Sequence, residues 1–305
     1  MTSTLRPSLV APLTATGNLL VGAGALALAA VAWNPLPVIL FGLAQPLRLY
    51  RALTAPRDPA AERAARRAAA RRTQGGLARQ LATLVATAPC AGWIARGLLP
   101  DYPAGFRHLV ALRDDAARLV AARDDAAAAL EDDLIDGLDA LLAGYLTMAR
   151  ERLRFHCALA GAYPALPAAD DDDDLDPVAV LTTARAAGPA TATTPLPTVD
   201  AEVRAITARA DGLVAAHAAG HDPDDVYPRL LATLHQRRDE LVARGRRDQA
   251  MAAQLAVLPD EFALVHDKLA AASADLGAVV TDMAVLVEQT DDTVRFTAEA
   301  RRGGP

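Results

Sequence analysis

The stretch Leu130-EDDLIDGLDALLAGYLT-Met148 decides the fold. Leu130, Leu134, Leu138, Leu141, Tyr145 and Met148 recur at steps of three and four, the period of one face of an α-helix. Such a stripe is read first as core, with the intervening acids turned outward. The whole chain shares this character. Its hydrophobic content is 52% but only 4% is aromatic, so a core must be built from Leu, Val and Ala. Ala, Leu and Arg are strong helix formers, and alternating β-branched runs are scarce. The expected fold class is all-α.

Working outward from that stripe, Pro103–Ala122 and Asp124–Ala160 read as two helices, or one long bent one. Upstream, Asp58–Arg72 reads as a helix with Asp58 as N-cap and Pro59 at its first position. Thr73-Gln74-Gly75-Gly76 is expected to break it, and Leu77–Ala88 to form a short helix ended by Pro89-Cys90. Downstream, residues 163–199 hold five consecutive acids, Asp170–Asp174, and a Pro/Thr-rich tract, the composition of a linker or loop. A short helix beginning at Val178 fits inside it. Asp200–Ala219, closed by Gly220, and Asp224–Val257 read as further helices, with Pro259-Asp260 restarting the chain.

The last expected helix carries Phe262, Val265, Leu269, Ala272, Leu276, Val279, Met283 and Leu286 at alternating threes and fours, close to five heptads of a coiled-coil seam when Thr290, Thr293 and Thr297 are included. That seam is thin and needs a partner helix. The preceding helix folded back is the expected partner, and another chain the alternative.

The N-terminal part differs. From Pro7 to Leu47 there is no Asp, Glu, Lys or Arg. Asn34-Pro35-Leu36-Pro37 divides this run, because proline lacks an N–H and disfavours helix in the residue before it. The expectation is a hairpin of two short membrane helices with Asn34, Pro35 and Pro37 at its turn, each near the lower limit for crossing a ~30 Å hydrocarbon core. A signal peptide and a buried hairpin inside a soluble bundle are the competing readings. Nine arginines from Arg48 to Arg79 face only Asp58 and Glu62, a net +7, whereas the whole chain is −6. A basic collar beside an apolar segment puts the collar on the cytoplasmic side. Arg48, Arg51, Arg63, Arg66, Arg67 and Arg71 are the candidates for contact with anionic lipid headgroups. Nucleic acid is not the expected partner, since no aromatic residues interleave the arginines.

The organisation expected is therefore a membrane-inserting hairpin over 1–52, a basic juxtamembrane helix and the first part of a helical bundle over 53–162, an acidic linker or loop over 163–199, and a C-terminal bundle or antiparallel coiled coil over 200–305. The alanine and arginine excess, thirty Arg against the single Lys268, points to a GC-rich bacterial genome and an inner-membrane setting.

Motifs of catalysis are not found. There is no HExxH, Walker loop, GxSxG or CxxC. Cys90 and Cys157 read as two lone thiols, with no disulfide framework and a reducing compartment. His217 and His221, followed by Asp222, Asp224 and Asp225, form a weak metal candidate that Gly220 and Pro223 interrupt. His108, His156, His235 and His266 read as structural or exposed. Asp132, Asp133, Asp136, Asp139, Asp291 and Asp292 read as solvated helix-surface acids. No cofactor is implied. The functional expectation is a membrane-tethered scaffold or adaptor that binds a protein partner, or itself, through the C-terminal coiled coil. The alternatives are an effector whose hairpin forms a pore or remodels the bilayer, and an enzyme acting at the membrane surface.

Overall fold

The computed structural model describes residues 59–122, 128–167, 175–186, 195–220, 226–271 and 275–302. By internal contacts the chain divides into two units, 1–65 and 66–305. Of the first, residues 59–65 are described and are helical. The hairpin over 1–52, with Asn34, Pro35 and Pro37, and Arg48 and Arg51 behind it lie outside the described residues. Among the described residues no helix is long and apolar enough to cross a membrane.

The described residues form eight helices and no strand: α1 (Pro59–Ala86), α2 (Ala88–Ala95), α3 (Tyr102–Ala121), α4 (Ala128–Leu159), α5 (Pro177–Ala186), α6 (Val199–Ala218), α7 (Val226–Ala270) and α8 (Leu276–Arg302). The all-α expectation holds. Local chemistry sets several helix starts. Asp101 caps α3 by accepting from the Ala104 amide at 3.0 Å. Asp176 caps α5 by accepting from Val178 at 3.0 Å, and Thr198 caps α6. Pro89 sits in the first turn of α2, where a missing N–H costs nothing.

α4 is the central helix. Its stripe is buried as the period requires, with Leu134, Leu138, Leu141, Tyr145 and Met148 all in the core and Leu130 packed against it. α2, α3, α7 and α8 all pack on it. α3 runs antiparallel to it, since Arg113 meets Asp139 while Tyr102 meets Tyr145 and Arg152. α1 runs parallel to it, with Arg67, Gln74 and Gln80 meeting Asp132, Asp139 and Arg150 in turn. A single core extends from Leu77 to Met283, so the helices on both sides of residues 163–199 share one interior.

Two expected breaks do not occur. α1 continues through Thr73–Gly76 because Gln74, Gly75 and Gly76 are buried. A Cβ on Gly75 would lie 2.9 Å from the Leu175 carbonyl oxygen, so glycine admits the strand of chain leading into α5. The neighbouring Gln74 donates to the Asp139 carbonyl at 2.8 Å. Burial here outweighs a glycine penalty of about 1 kcal/mol per residue. α7 likewise runs on through Pro259 for 45 residues. Leu255, Leu258 and Phe262 are all buried on one face across the proline. Their burial, about 1.5–3 kcal/mol each, exceeds the ~3 kcal/mol that an interior proline costs.

The C-terminal seam is corrected in the same way. It is not one helix from Phe262 to Leu286. Phe262, Val265 and Leu269 end α7, while Leu276, Val279, Met283 and the half-buried Leu286 begin α8. α8 packs on α7, but also on α4, to which it runs parallel: Gly137 faces Met283 and, seven residues on along both helices, Gly144 faces Thr290. The seam's partner lies within the chain, and its main groove is cut by two glycines of the central helix.

Candidate functional site

The chemistry of this molecule is concentrated along α4. Acids occupy its first half (Glu131, Asp132, Asp133, Asp136, Asp139) and bases its second (Arg150, Arg152, Arg154, His156). That order complements the helix dipole, which favours negative charge near the N-terminus and positive charge near the C-terminus. It also lets successive neighbours dock by ion pairs of opposite sense.

Near the start of α4, Arg67 of α1 binds Asp132 and, at 2.9 Å, Asp136. Hydrogen bonding to Asp136 is the main cause that raises the Arg67 pKa. One turn further, Arg113 of α3 grips Asp139 through both oxygens, at 2.9 and 3.1 Å, and its third nitrogen reaches Asp114 at 3.0 Å. Asp139 is only 7% exposed, and a two-point fork is the geometry that best offsets burying its charge. Burial acts to lower the Arg113 pKa, and the two carboxylates outweigh it. Asp132, Asp136 and Asp139 are thus not solvated acids. They are the points where α1 and α3 attach.

Toward the other end, Arg150 donates to Gln80 at 2.8 Å and to Glu151 at 3.0 Å, and Gln80 in turn donates to the Pro167 carbonyl. Beyond it lies a quartet in which Tyr102 and His156 are buried and Arg152 and Asp248 partly so. Arg152 donates to Asp248 of α7 at 2.9 Å and to the Tyr102 hydroxyl at 3.0 Å. The His156 Nε2 lies 3.4 Å from the same Asp248 carboxylate, off-line for a hydrogen bond, and neither ring nitrogen has a hydrogen-bond partner. Burial acts to raise the Asp248 pKa, but His156 and Arg152 outweigh it and hold the carboxyl below its ordinary range. Burial pushes the Tyr102 hydroxyl up to about 12. His156 also meets the rings of Trp93 and Phe155, at centroid distances of 6.4 and 5.5 Å.

Beside this quartet the structure joins Cys90 of α2 to Cys157 of α4 in a disulfide, with Cα atoms 6.8 Å apart and both side chains fully buried. The expectation of two lone thiols is corrected. Sixty-seven residues separate them, so no local spacing reveals the pair.

A cleft of about 410 Å³ opens between α1, α3, α4 and the start of α5. Val110, Leu142, Leu175 and Val178 form its apolar wall, and the Arg113–Asp139 fork with Gln74 forms its polar floor. Those floor groups are committed to one another, so the cleft offers a surface for recognition and not a poised acid, base or nucleophile. Arg71, one of the expected headgroup contacts, is exposed on its edge. Of the others, Arg67 is bound to α4 carboxylates, and the side chains of Arg63 and Arg66 lie outside the described residues.

The weak metal candidate is not assembled. His217 is exposed in the last turn of α6, which Gly220 closes with φ of 74°, and His221 lies outside the described residues. Among the described residues no group of three or more His, Cys, Asp or Glu is placed to hold a metal ion. The run Asp170–Asp174 also lies outside them. No family model, curated protein or solved structure matches the chain.

Proposed function

We propose that the chain is a helical scaffold or adaptor that works at a membrane surface. In this reading residues 1–52 enter the bilayer and the arginines behind them meet anionic headgroups on the cytoplasmic side of a bacterial inner membrane. The helical body then receives a protein partner or a second copy of the chain. The observation that supports the reading is how the C-terminal half divides its apolar residues. The heptad positions of α7 and α8 are buried in the core, where α7 packs on α3 and α4, α8 packs on α4, and the two pack on each other. By contrast, α6 and residues 226–244 of α7 form an arm in which only Ile206 and Ala210 are buried. Val214, Val226 and Leu230 are exposed on it, as Val257, Leu264, Val285 and Phe296 are on the rest of α7 and on α8, so the arm differs in having almost no buried seam. A helix pair with so thin a seam is marginal on its own, because most helical stability comes from tertiary packing. Covering Val214, Val226 and Leu230 would contribute roughly 1–2 kcal/mol each. The partner surface is therefore assigned to the arm, and the heptad seam, once expected to carry it, is assigned to the core.

The test has two parts, both on the full-length protein. Carbonate extraction of membranes should leave it in the pellet, and recovery in the supernatant would remove the tether. Light scattering in detergent micelles, with pull-down from membrane extracts, should then show the assembly or bound partner of the wild type lost in a Val214→Asp/Leu230→Asp variant that keeps wild-type helicity. Unchanged association in that variant would remove the arm from the interface.

A further inference from the structure

We propose that Cys90–Cys157 is a reversible redox lock on α2. The inference rests on the cytoplasmic placement above, because in a reducing compartment a protein disulfide is a transient, sensing bond and not a permanent one. Three observations point to it. These are the only two cysteines in 305 residues, yet the fold brings them together across 67 positions. α2 is eight residues long, and among the described residues α4 is the one helix it packs against substantially. Its buried residues are Cys90, Gly92 and Trp93. The bond thus joins α2 to the helix it packs against, beside the buried Trp93. A helix this short, with one main neighbour, opens locally more often than the long core helices do, and that opening gives a small oxidant access to thiols that are otherwise enclosed.

The chemistry balances with a low-molecular-weight disulfide such as oxidised glutathione as the oxidant. One cysteine thiolate attacks it, forming a mixed disulfide and releasing one reduced thiol. The second cysteine thiolate then attacks the protein sulfur of that mixed disulfide and releases the other. Two protein thiols lose two electrons and two protons, and one small disulfide gains them. Closure fixes α2 on α4 and keeps Trp93 against His156. Reduction frees the segment between Thr87 and Gly97, and with it Trp93, an aromatic side chain that an effector of the scaffold could take up.

The experiment is hydrogen exchange on the full-length protein in detergent micelles, in buffers of oxidised or reduced glutathione, with Cys90→Ala and Cys157→Ala alongside. Amides of 88–95 should exchange at least about tenfold faster in the reduced protein, because the opened segment is no longer tied to α4. Helices α4 and α7 should keep their protection. Both variants should match the reduced wild type in either buffer. Equal exchange of 88–95 in the two redox states overturns the lock. So does a bond that survives reduced glutathione until the whole protein unfolds, which would mark it as permanent and the compartment as oxidising. Carbonate extraction tests the tether separately: a protein that leaves the membrane but keeps the redox difference loses the tether and retains the lock.

Discussion

Replacing Gly144 by alanine tests the packing of α8 on α4 at one atom. The added Cβ would overlap the Cγ2 methyl of Thr290. Thr290 is 1% exposed, so an alternative χ1 rotamer would meet close-packed neighbours and not open space. The methyl cannot swing away, so the helices must part, at about 1–3 kcal/mol for overpacking. Against this stands about 1 kcal/mol gained by removing a glycine from a helix interior. The net expectation is a loss of up to about 2 kcal/mol. Gly137→Ala is the control one heptad away. There the new Cβ would lie 3.1 Å from Cγ and Sδ of Met283, a flexible side chain that can yield, so the helix gain survives and stability changes by less than about 0.5 kcal/mol or rises. Urea unfolding followed by circular dichroism reads both. Thr290→Ser removes the obstructing methyl, so a Gly144→Ala/Thr290→Ser double variant should recover most of the loss, a coupling that only neighbouring residues show. Equal shifts for Gly137→Ala and Gly144→Ala, or no recovery in the double variant, would refute the packing argument.

Three further outcomes follow from charged side chains held wholly or partly out of water. Arg113→Ala leaves Asp139 buried without its partner and should cost about 3 kcal/mol, and Arg113→Lys should restore less than half of it because an ammonium cannot reproduce the fork; thermal or urea unfolding measures both. Asp248 has a depressed pKa in the folded state, so its stabilisation is present above the unfolded value near ~3.9 and is lost as pH falls through the folded value. Asp248→Asn should therefore be less stable than wild type at pH 7, with the gap closing in acid-unfolding curves below about pH 4. Glu261 has the opposite sign: burial raises its pKa and one carboxylate oxygen is buried without a partner. Glu261→Gln should gain stability over wild type at pH 7 and show no gain below about pH 4, where both side chains are neutral.

The helices were legible because their signal is local. Leu130, Leu134, Leu138 and Leu141 announce a buried face within a dozen residues, and Gly220 announces the end of α6. The breaks were misread where local and tertiary terms conflict. Gly75 and Pro259 both argue against helix in isolation, and both are overruled by burial that only the assembled bundle supplies. The site was mostly illegible for a related reason. Asp132, Asp136 and Asp139 share a helix face, which was visible, but whether that face meets water or arginine depends on α1 and α3. Asp248 lies 92 positions from His156 and 96 from Arg152, and Cys90 lies 67 from Cys157. No spacing rule reaches across such distances without a known fold. The parallel step Gly137/Gly144 against Met283/Thr290 is the exception that a heptad search could have found, since both pairs repeat at seven.

The central claim is that the C-terminal heptads close on α3, α4 and each other within one chain and leave the α6–α7 arm for a partner. Hydrogen exchange of the full-length protein at two concentrations a hundredfold apart tests it most directly. Residues 251–269 and 276–290 should be strongly protected, and equally so at both concentrations, while 199–244 exchange orders of magnitude faster when no partner is bound. Protection of 276–290 that rises with concentration would place the seam's partner in another chain, and an arm protected as well as the core in the dilute sample would leave no surface of the kind proposed.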